Sequence, residues 1–216
     1  MDYTIVSTAS GGLGGIMARS PEAAARGVPP CWMGVVCVTD AAGAAARCLE
    51  LGGQVHVPAF PIPNVGTYAV LADPTGAAFA VLQPAGPDEE PPSRTEAGRV
   101  CWDELWTSDA TAAMAFYEAM FGWSESGSMD MGPAGIYRMY GPKGGVTLGG
   151  VAPKMPEQPV SAWSCYFVVP EITAAAARVA ELGGKVFMGP HDVPGGRILM
   201  AFDPQGAVFA LYANAT

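Results

Sequence analysis

Ala72-Asp73-Pro74-Thr75-Gly76-Ala77-Ala78-Phe79-Ala80-Val81-Leu82 returns 130 residues later as Phe202-Asp203-Pro204-Gln205-Gly206-Ala207-Val208-Phe209-Ala210-Leu211-Tyr212. Each copy is a D-P-x-G turn followed by an apolar run of strand length. Upstream of the two copies, Glu50-Leu51-Gly52-Gly53-Gln54-Val55 is matched by Glu181-Leu182-Gly183-Gly184-Lys185-Val186, and Trp32 by Trp163. Self-similarity over such a distance means duplicated supersecondary structure.

Working outward from the second copy, the sequence predicts a strand over 164–169 and a helix over 173–182 closed by Gly183-Gly184. Strands follow near 185–188, 197–202 and 208–212. Residues 32–82 repeat that order. A further unit opens with a strand over 101–106. Ser108 or Asp109 then starts a helix whose stripe is Ala113, Met114, Phe116, Tyr117, Ala119 and Met120, ending at Gly122. Short strands are expected around 136–140 and 146–151. The fold class is α+β, built from repeated strand–helix–three-strand (βαβββ) units. Residues 2–7 and 13–18 resemble the last two strands of such a unit. The expected organisation is a truncated domain over 1–83, holding a remnant unit at 1–20 and a complete unit at 31–83. A linker rich in Pro, Asp, Glu and Ser follows at 84–97, and then a complete domain over 98–216 with units 100–152 and 162–213.

Half of the residues are hydrophobic and 14% are charged, which suits a packed core and excludes a disordered chain. The formal net charge is −9, and the few Lys and Arg are scattered. No basic stripe exists to neutralise phosphates, so neither nucleic acid nor an anionic membrane is an expected partner. No apolar run approaches a membrane span, and the start lacks a basic-then-apolar leader pattern, which makes the cytoplasm the expected compartment. The five cysteines lack C-x-x-C spacing. Cys31, Cys37, Cys101 and Cys165 fall in strand-like runs and Cys48 in a helix. They read as packed thiols of a reducing compartment.

The paired βαβββ units, the duplicated D-P-x-G, the Leu-Gly-Gly helix ends and the helix from Asp109 to Phe116-Tyr117 resemble the vicinal oxygen chelate superfamily of glyoxalase I, bleomycin-resistance and extradiol dioxygenase proteins. Cys101-Trp102-Asp103-Glu104-Leu105 and the Phe121-Gly122-Trp123 helix end are similar to its two-domain bacterial glyoxalase-like branch. The resemblance implies that units pair and that their sheets curl around a cavity. It also implies a metal held by a His on a first strand and a Glu on a last strand. Imidazole and carboxylate suit a divalent ion that keeps open positions for substrate. Carried onto this sequence, those positions fall on Trp102, Met33, Ser164 or its neighbours, Ala80, Ala210 and the 144–151 stretch. None supplies a strong ligand. No cofactor is therefore expected, with a divalent metal held elsewhere as the alternative. His56 and His191 read as loop histidines without a role.

The resemblance implies that Trp102, at the ligand position, faces inward; strand alternation then puts Glu104 and Trp106 on the same inward face, with Leu105 beneath the helix. The expected ligand-binding set is Trp102, Trp106, Ser164, Tyr166, Tyr212 and Arg197, with Glu104 as the candidate catalytic acid or base. Gly144-Gly145 and Gly149-Gly150 read as a β-bulge or tight strand packing rather than a phosphate loop. Three functions stay open. One is a metal-free protein binding a small, partly apolar or aromatic molecule. A second is an enzyme (lyase, isomerase or hydroxylase) using Glu104 and a tyrosine, or a metal held elsewhere. The third is a non-catalytic assembly domain. The incomplete first domain leaves an open sheet edge, from which either an upstream segment or a homodimer is expected.

Overall fold

A computed structural model of the chain describes residues 3–86 and 93–215. Its elements are β1 (Tyr3–Thr8), β2 (Gly11–Met17), α1 (Pro21–Ala25), β3 (Val35–Cys37), α2 (Ala41–Glu50), β4 (Gln54–Ile62), β5 (Gly66–Ala72) and β6 (Ala78–Pro84). There follow β7 (Val100–Thr107), α3 (Ala110–Phe121), β8 (Trp123–Asp130), β9 (Ile136–Pro142), β10 (Gly149–Pro153), β11 (Ala162–Val168), α4 (Ile172–Glu181), β12 (Lys185–Val193), β13 (Gly196–Phe202) and β14 (Val208–Asn214). The protein is α+β, and its strands repeat one topology. The orders β3-β6-β5-β4, β7-β10-β9-β8 and β11-β14-β13-β12 each place the first strand parallel to the fourth and the rest antiparallel. The crossover helix makes that parallel pairing reachable, since parallel strands cannot be joined by a tight turn.

The repeated motifs have physical reasons. In the turn between β5 and β6, the N–H of Asp73 donates to Ala77 O at 3.1 Å and that of Gly76 to Asp73 O at 2.9 Å. The Asp203 turn between β13 and β14 repeats both bonds, at 2.9 and 3.0 Å. Each Asp side chain accepts from the backbone N–H groups two and four residues on. Gly76 and Gly206 sit at φ +92° and +94°, a conformation that a Cβ disfavours. The second glycine of each Leu-Gly-Gly is there for space. A Cβ on Gly53 would come 2.6 Å from Ala72 O, and one on Gly184 2.7 Å from Phe202 O.

Two compact units form. One holds residues 33–86 and 102–164, the other residues 3–32, 93–101 and 165–215; the boundaries fall inside β7 and β11. In the first unit Leu71, Phe79, Val81, Leu105, Phe116, Tyr117 and Val151 are buried as one core, with Trp123 and Trp163 against it. The fully buried carboxylate of Asp73 accepts on Oδ1 from Thr75 and Ala77 and on Oδ2 from Tyr117 Oη at 3.1 Å. Trp163 Nε1 donates to the same Tyr117 oxygen at 2.9 Å. Burial, then the charge of Asp73, holds the Tyr117 phenol well above its ordinary pKa.

In the second unit Ile172, Val179, Leu199, Ala201, Leu211 and Ala213 form a smaller core with Phe167. The β1–β2 hairpin is held there by Arg99, itself 4% exposed. Its Nη1 donates to Gly12 O at 2.8 Å and its Nη2 to Ser10 Oγ at 2.6 Å, while Ser10 donates to Glu96. Tyr3, Ile5, Ile16 and Met17 of the hairpin are exposed.

Several local expectations are corrected. The stretch 123–130 forms β8, which the sequence reading did not identify. Trp-Ser-Glu-Ser-Gly-Ser-Met-Asp is polar and mostly exposed, an edge strand without an apolar run to announce it. The last strand of that unit starts at Gly149 rather than 146, because residues 142–148 turn through Gly144 at φ +73° and a Gly145 N–H to Pro142 O bond. Asp109, not Ser108, caps α3, accepting from Thr111 and Ala112 N–H at 3.0 and 2.9 Å. His56 and His191 lie exposed on β4 and β12 rather than in loops. Cys31 precedes β3 instead of lying in a strand, and Cys37 is exposed. Part of the expected linker, residues 87–92, lies outside the described residues. Among the described residues no helix is long and apolar enough to cross a membrane.

The two D-P-x-G aspartates should differ in energetic weight. Asp73→Ala strands the Tyr117 hydroxyl and the turn donors in a dry core, an expected cost on the order of 3 kcal/mol in denaturant unfolding. Asp203, half-buried and without a tyrosine, should cost about 1 kcal/mol on the same substitution.

Candidate functional site

The expected site residues divide between the units. Trp102, Glu104, Trp106 and Ser164 belong to the first; Tyr166, Tyr212 and Arg197 belong to the second. In the second unit Tyr166 is buried, and Tyr212 Oη donates to Gly195 O at 2.9 Å. Arg197 is half-exposed and forms an ion pair with Asp192 at 3.2 Å. It lines a shallow hollow of about 380 Å³ together with Glu171 and Asn214. The Glu171 carboxylate already accepts the Thr173 and Ala174 N–H groups of the α4 start, and those bonds hold its pKa below the usual range. Arg197 thus already has a carboxylate partner. An equivalent hollow of about 390 Å³ in the first unit, beside Thr67 and Gln83, has uncharged walls. The repetition marks this hollow as a feature of the fold, and neither copy is where the polar groups of interest converge.

They converge on one face of β7. Trp102, Glu104 and Trp106 alternate with the fully buried Leu105 and Thr107, which face the other way. Glu104, 5% exposed, lies opposite Gly150 on β10, and Gly150 lies opposite Met139 on β9. Tyr137, also on β9, reaches across this row. Its Oη donates to Glu104 Oε1 at 2.7 Å and accepts from Trp102 Nε1 at 2.8 Å. The result is a directed chain from indole N–H to phenol to carboxylate. Burial first, then the charge of Glu104, pushes the Tyr137 phenol far above its ordinary pKa, so it stays protonated and serves as a donor.

Gly150 is what admits this tyrosine. A Cβ at that position would fall on Tyr137 Oη and Cζ, with Cε1 the next atom met. Gly149 is packed as closely on its own side, against Asp103 O and the Tyr140 ring. Of the β-bulge and the tight strand packing expected at Gly149-Gly150, tight packing is what the structure shows, but the sequence did not reveal which residue approaches. Tyr137 was missed. Its only signal was the alternation Ile136-Tyr137-Arg138-Met139-Tyr140 on a strand beside a glycine pair.

Residues 98–211 match the model of the Glyoxalase/Bleomycin resistance protein/Dioxygenase superfamily. The chain belongs to that superfamily. It is 36% identical over 212 residues to "Putative glyoxylase CFP32" of Mycobacterium bovis, covering 97% of this chain and 80% of that protein. It is 33% identical over 195 residues to "Anthracycline biosynthesis protein DauV" of Streptomyces sp. (strain C5), covering 86% of this chain and 66% of the relative. The fold is also that of the 2,3-dioxygenase LapB from Pseudomonas sp. KL28, with a TM-score of 0.53 at 14% identity over 81% of this chain and 67% of that one. A Mn(II)-bound glyoxalase from Novosphingobium aromaticivorans gives a TM-score of 0.56 at 12% identity, covering 83% and 61%.

The metal that such a superfamily implies does not fit the residues here. The β-strand register aligns Gly150, Ala210 and Ala80 as equivalent last-strand positions. None has a ligating atom, and the space above Gly150 is filled by the Tyr137 phenol. Among the described residues, no group of three or more His, Cys, Asp or Glu side chains could hold a metal ion.

Two outcomes test this geometry. Gly150→Ala should displace Tyr137 and break its bond with Trp102, seen as an upfield shift of the Trp102 indole N–H resonance, at a stability cost of ~1–3 kcal/mol. In an alkaline titration followed by phenolate absorbance, Tyr117 and Tyr137 should stay protonated past pH ~10, the ordinary value for a phenol. Because both folded-state pKa values are raised, the stability that these groups contribute is complete below pH ~10 and is lost as pH rises above it. Their absorbance should appear only with alkaline unfolding.

Proposed function

We propose that this protein binds a small, partly apolar or aromatic molecule without a metal ion, on the face formed by Trp102, Glu104, Trp106 and Tyr137. The observation that carries the reading is the Tyr137 phenol seated over Gly150 and bonded to both Trp102 and Glu104. A polar relay stands where the superfamily's chemistry would ask for ligand atoms. An apolar surface with a few convergent polar groups is the usual form of a small-molecule site. The name of one relative, an anthracycline biosynthesis protein, supports a planar aromatic ligand. The same relay favours a second reading, in which Glu104 acts as an acid or base on the bound molecule with Tyr137 orienting it.

Thermal unfolding separates these possibilities. Ni²⁺, Zn²⁺, Fe²⁺ and Mn²⁺ should leave Tm unchanged, whereas an anthracycline at a hundred times its Kd should stabilise the native state by ~2.7 kcal/mol. Trp102→Ala should abolish that gain. Stabilisation by a metal ion, lost on replacing Glu104, would overturn the proposal. Glu104→Gln should leave binding of the anthracycline within a few-fold under the binding reading, and should eliminate turnover under the enzymatic one.

A further inference from the structure

Trp106 carries a feature that the fold leaves unexplained. Its indole Nε1 is shielded from solvent and has no hydrogen-bond partner among the described residues. Native proteins seldom leave a buried donor in that condition unless water or a ligand supplies the acceptor. The fold itself does not call for a donor there. Strand register pairs Trp106 with Ala152, and the equivalent pairs in the other two βαβββ modules are Val168 with Tyr212 and Cys37 with Leu82. Neither counterpart has a side-chain N–H.

Among the described residues the buried Trp32 N–H also lacks a partner, and its case differs. Its repeat counterpart, Trp163, donates to Tyr117, so at that position the fold supplies the acceptor in one copy. At Trp106 no copy does. Trp106 also lies on the Glu104 face, two residues along β7, over the small side chain of Ala152.

We propose that the Trp106 indole N–H is a ligand-recognition donor, and that the molecule taken by this face is a planar apolar ring bearing a neutral acceptor oxygen of the carbonyl or quinone type. The inference rests on the small-molecule reading above. Trp102 and Tyr137 supply the aromatic surroundings for a flat ring. The neighbouring Glu104 carboxyl, 5% exposed, disfavours an anionic acceptor such as a carboxylate. A carbonyl oxygen satisfies the donor without adding charge.

Fluorenone and fluorene are matched probes, with one planar ring system differing by one carbonyl. Wild-type protein should bind fluorenone on the order of tenfold more tightly than fluorene, measured by tryptophan fluorescence or calorimetry. In Trp106→Phe that preference should fall to about one, read as the ratio of the two affinities within the variant itself. Equal binding of the two probes by the wild type, as expected if water alone satisfies Trp106, would overturn the inference while leaving the small-molecule reading standing. So would a preference that survives in the variant. Binding of neither probe by folded wild-type protein would remove both. Should Trp106→Phe fail to fold, the indole N–H resonance of Trp106 in the wild type decides instead. It should move with fluorenone and not with fluorene, and indifference to the carbonyl would overturn the assignment.

Discussion

A carboxylate wholly removed from water anchors the first unit. Asp73 satisfies the donors of its own turn with one oxygen and the Tyr117 hydroxyl with the other, and Trp163 completes the line. A buried carboxylate is tolerable only when such donors surround it, and each donor would in turn be costly to strand. The turn between β5 and β6, helix α3 and the start of β11 are thereby held to one geometry. The aromatic packing of Phe79, Phe116, Trp123 and Trp163 around Tyr117 then follows, with ring centroids between 5.1 and 5.7 Å from it.

The candidate site depends on the same sheet by a different route. With Leu105 locked into the core, alternation along β7 commits Trp102, Glu104 and Trp106 to the opposite face. Glycine at 150 then leaves a gap in the adjoining strand that only a flat ring from β9 fills. Position 150 thus exchanges a side chain of its own for the phenol of Tyr137. That single exchange brings a donor to Glu104 and removes the place from which a last-strand ligand would extend. Within one superfamily, then, function turns on what occupies a few inward positions of a shared topology.

Much of the architecture was legible in the sequence because the repeat is written in residues whose reasons are local. The left-handed glycines after the D-P turns and at the helix ends, the Asp109 cap and the apolar stripe of α3 each act within a few residues of themselves. The edge strand β8 was not legible. An exposed polar strand is specified by the hydrogen bonds of its neighbour β9 rather than by its own composition. The hollow beside Arg197 was also beyond a linear reading, since its ion pair with Asp192 depends on the β12–β13 register.

By itself the sequence determined the α+β class, the βαβββ repeat, the sharing of one strand face by Trp102, Glu104 and Trp106, and the absence of ligand-type residues at the positions that the resemblance marks. All of these follow from periodicity and from residue identity at fixed offsets. Only the tertiary structure decided that Tyr137 bonds Glu104, that Asp73 takes a hydrogen bond from Tyr117, and that the Trp106 N–H meets no acceptor among the described residues. Each joins or separates groups 33 to 44 residues apart or on different strands, and depends on strand order and on the space left by one missing Cβ. Those are relations between elements, which no local run of residues encodes.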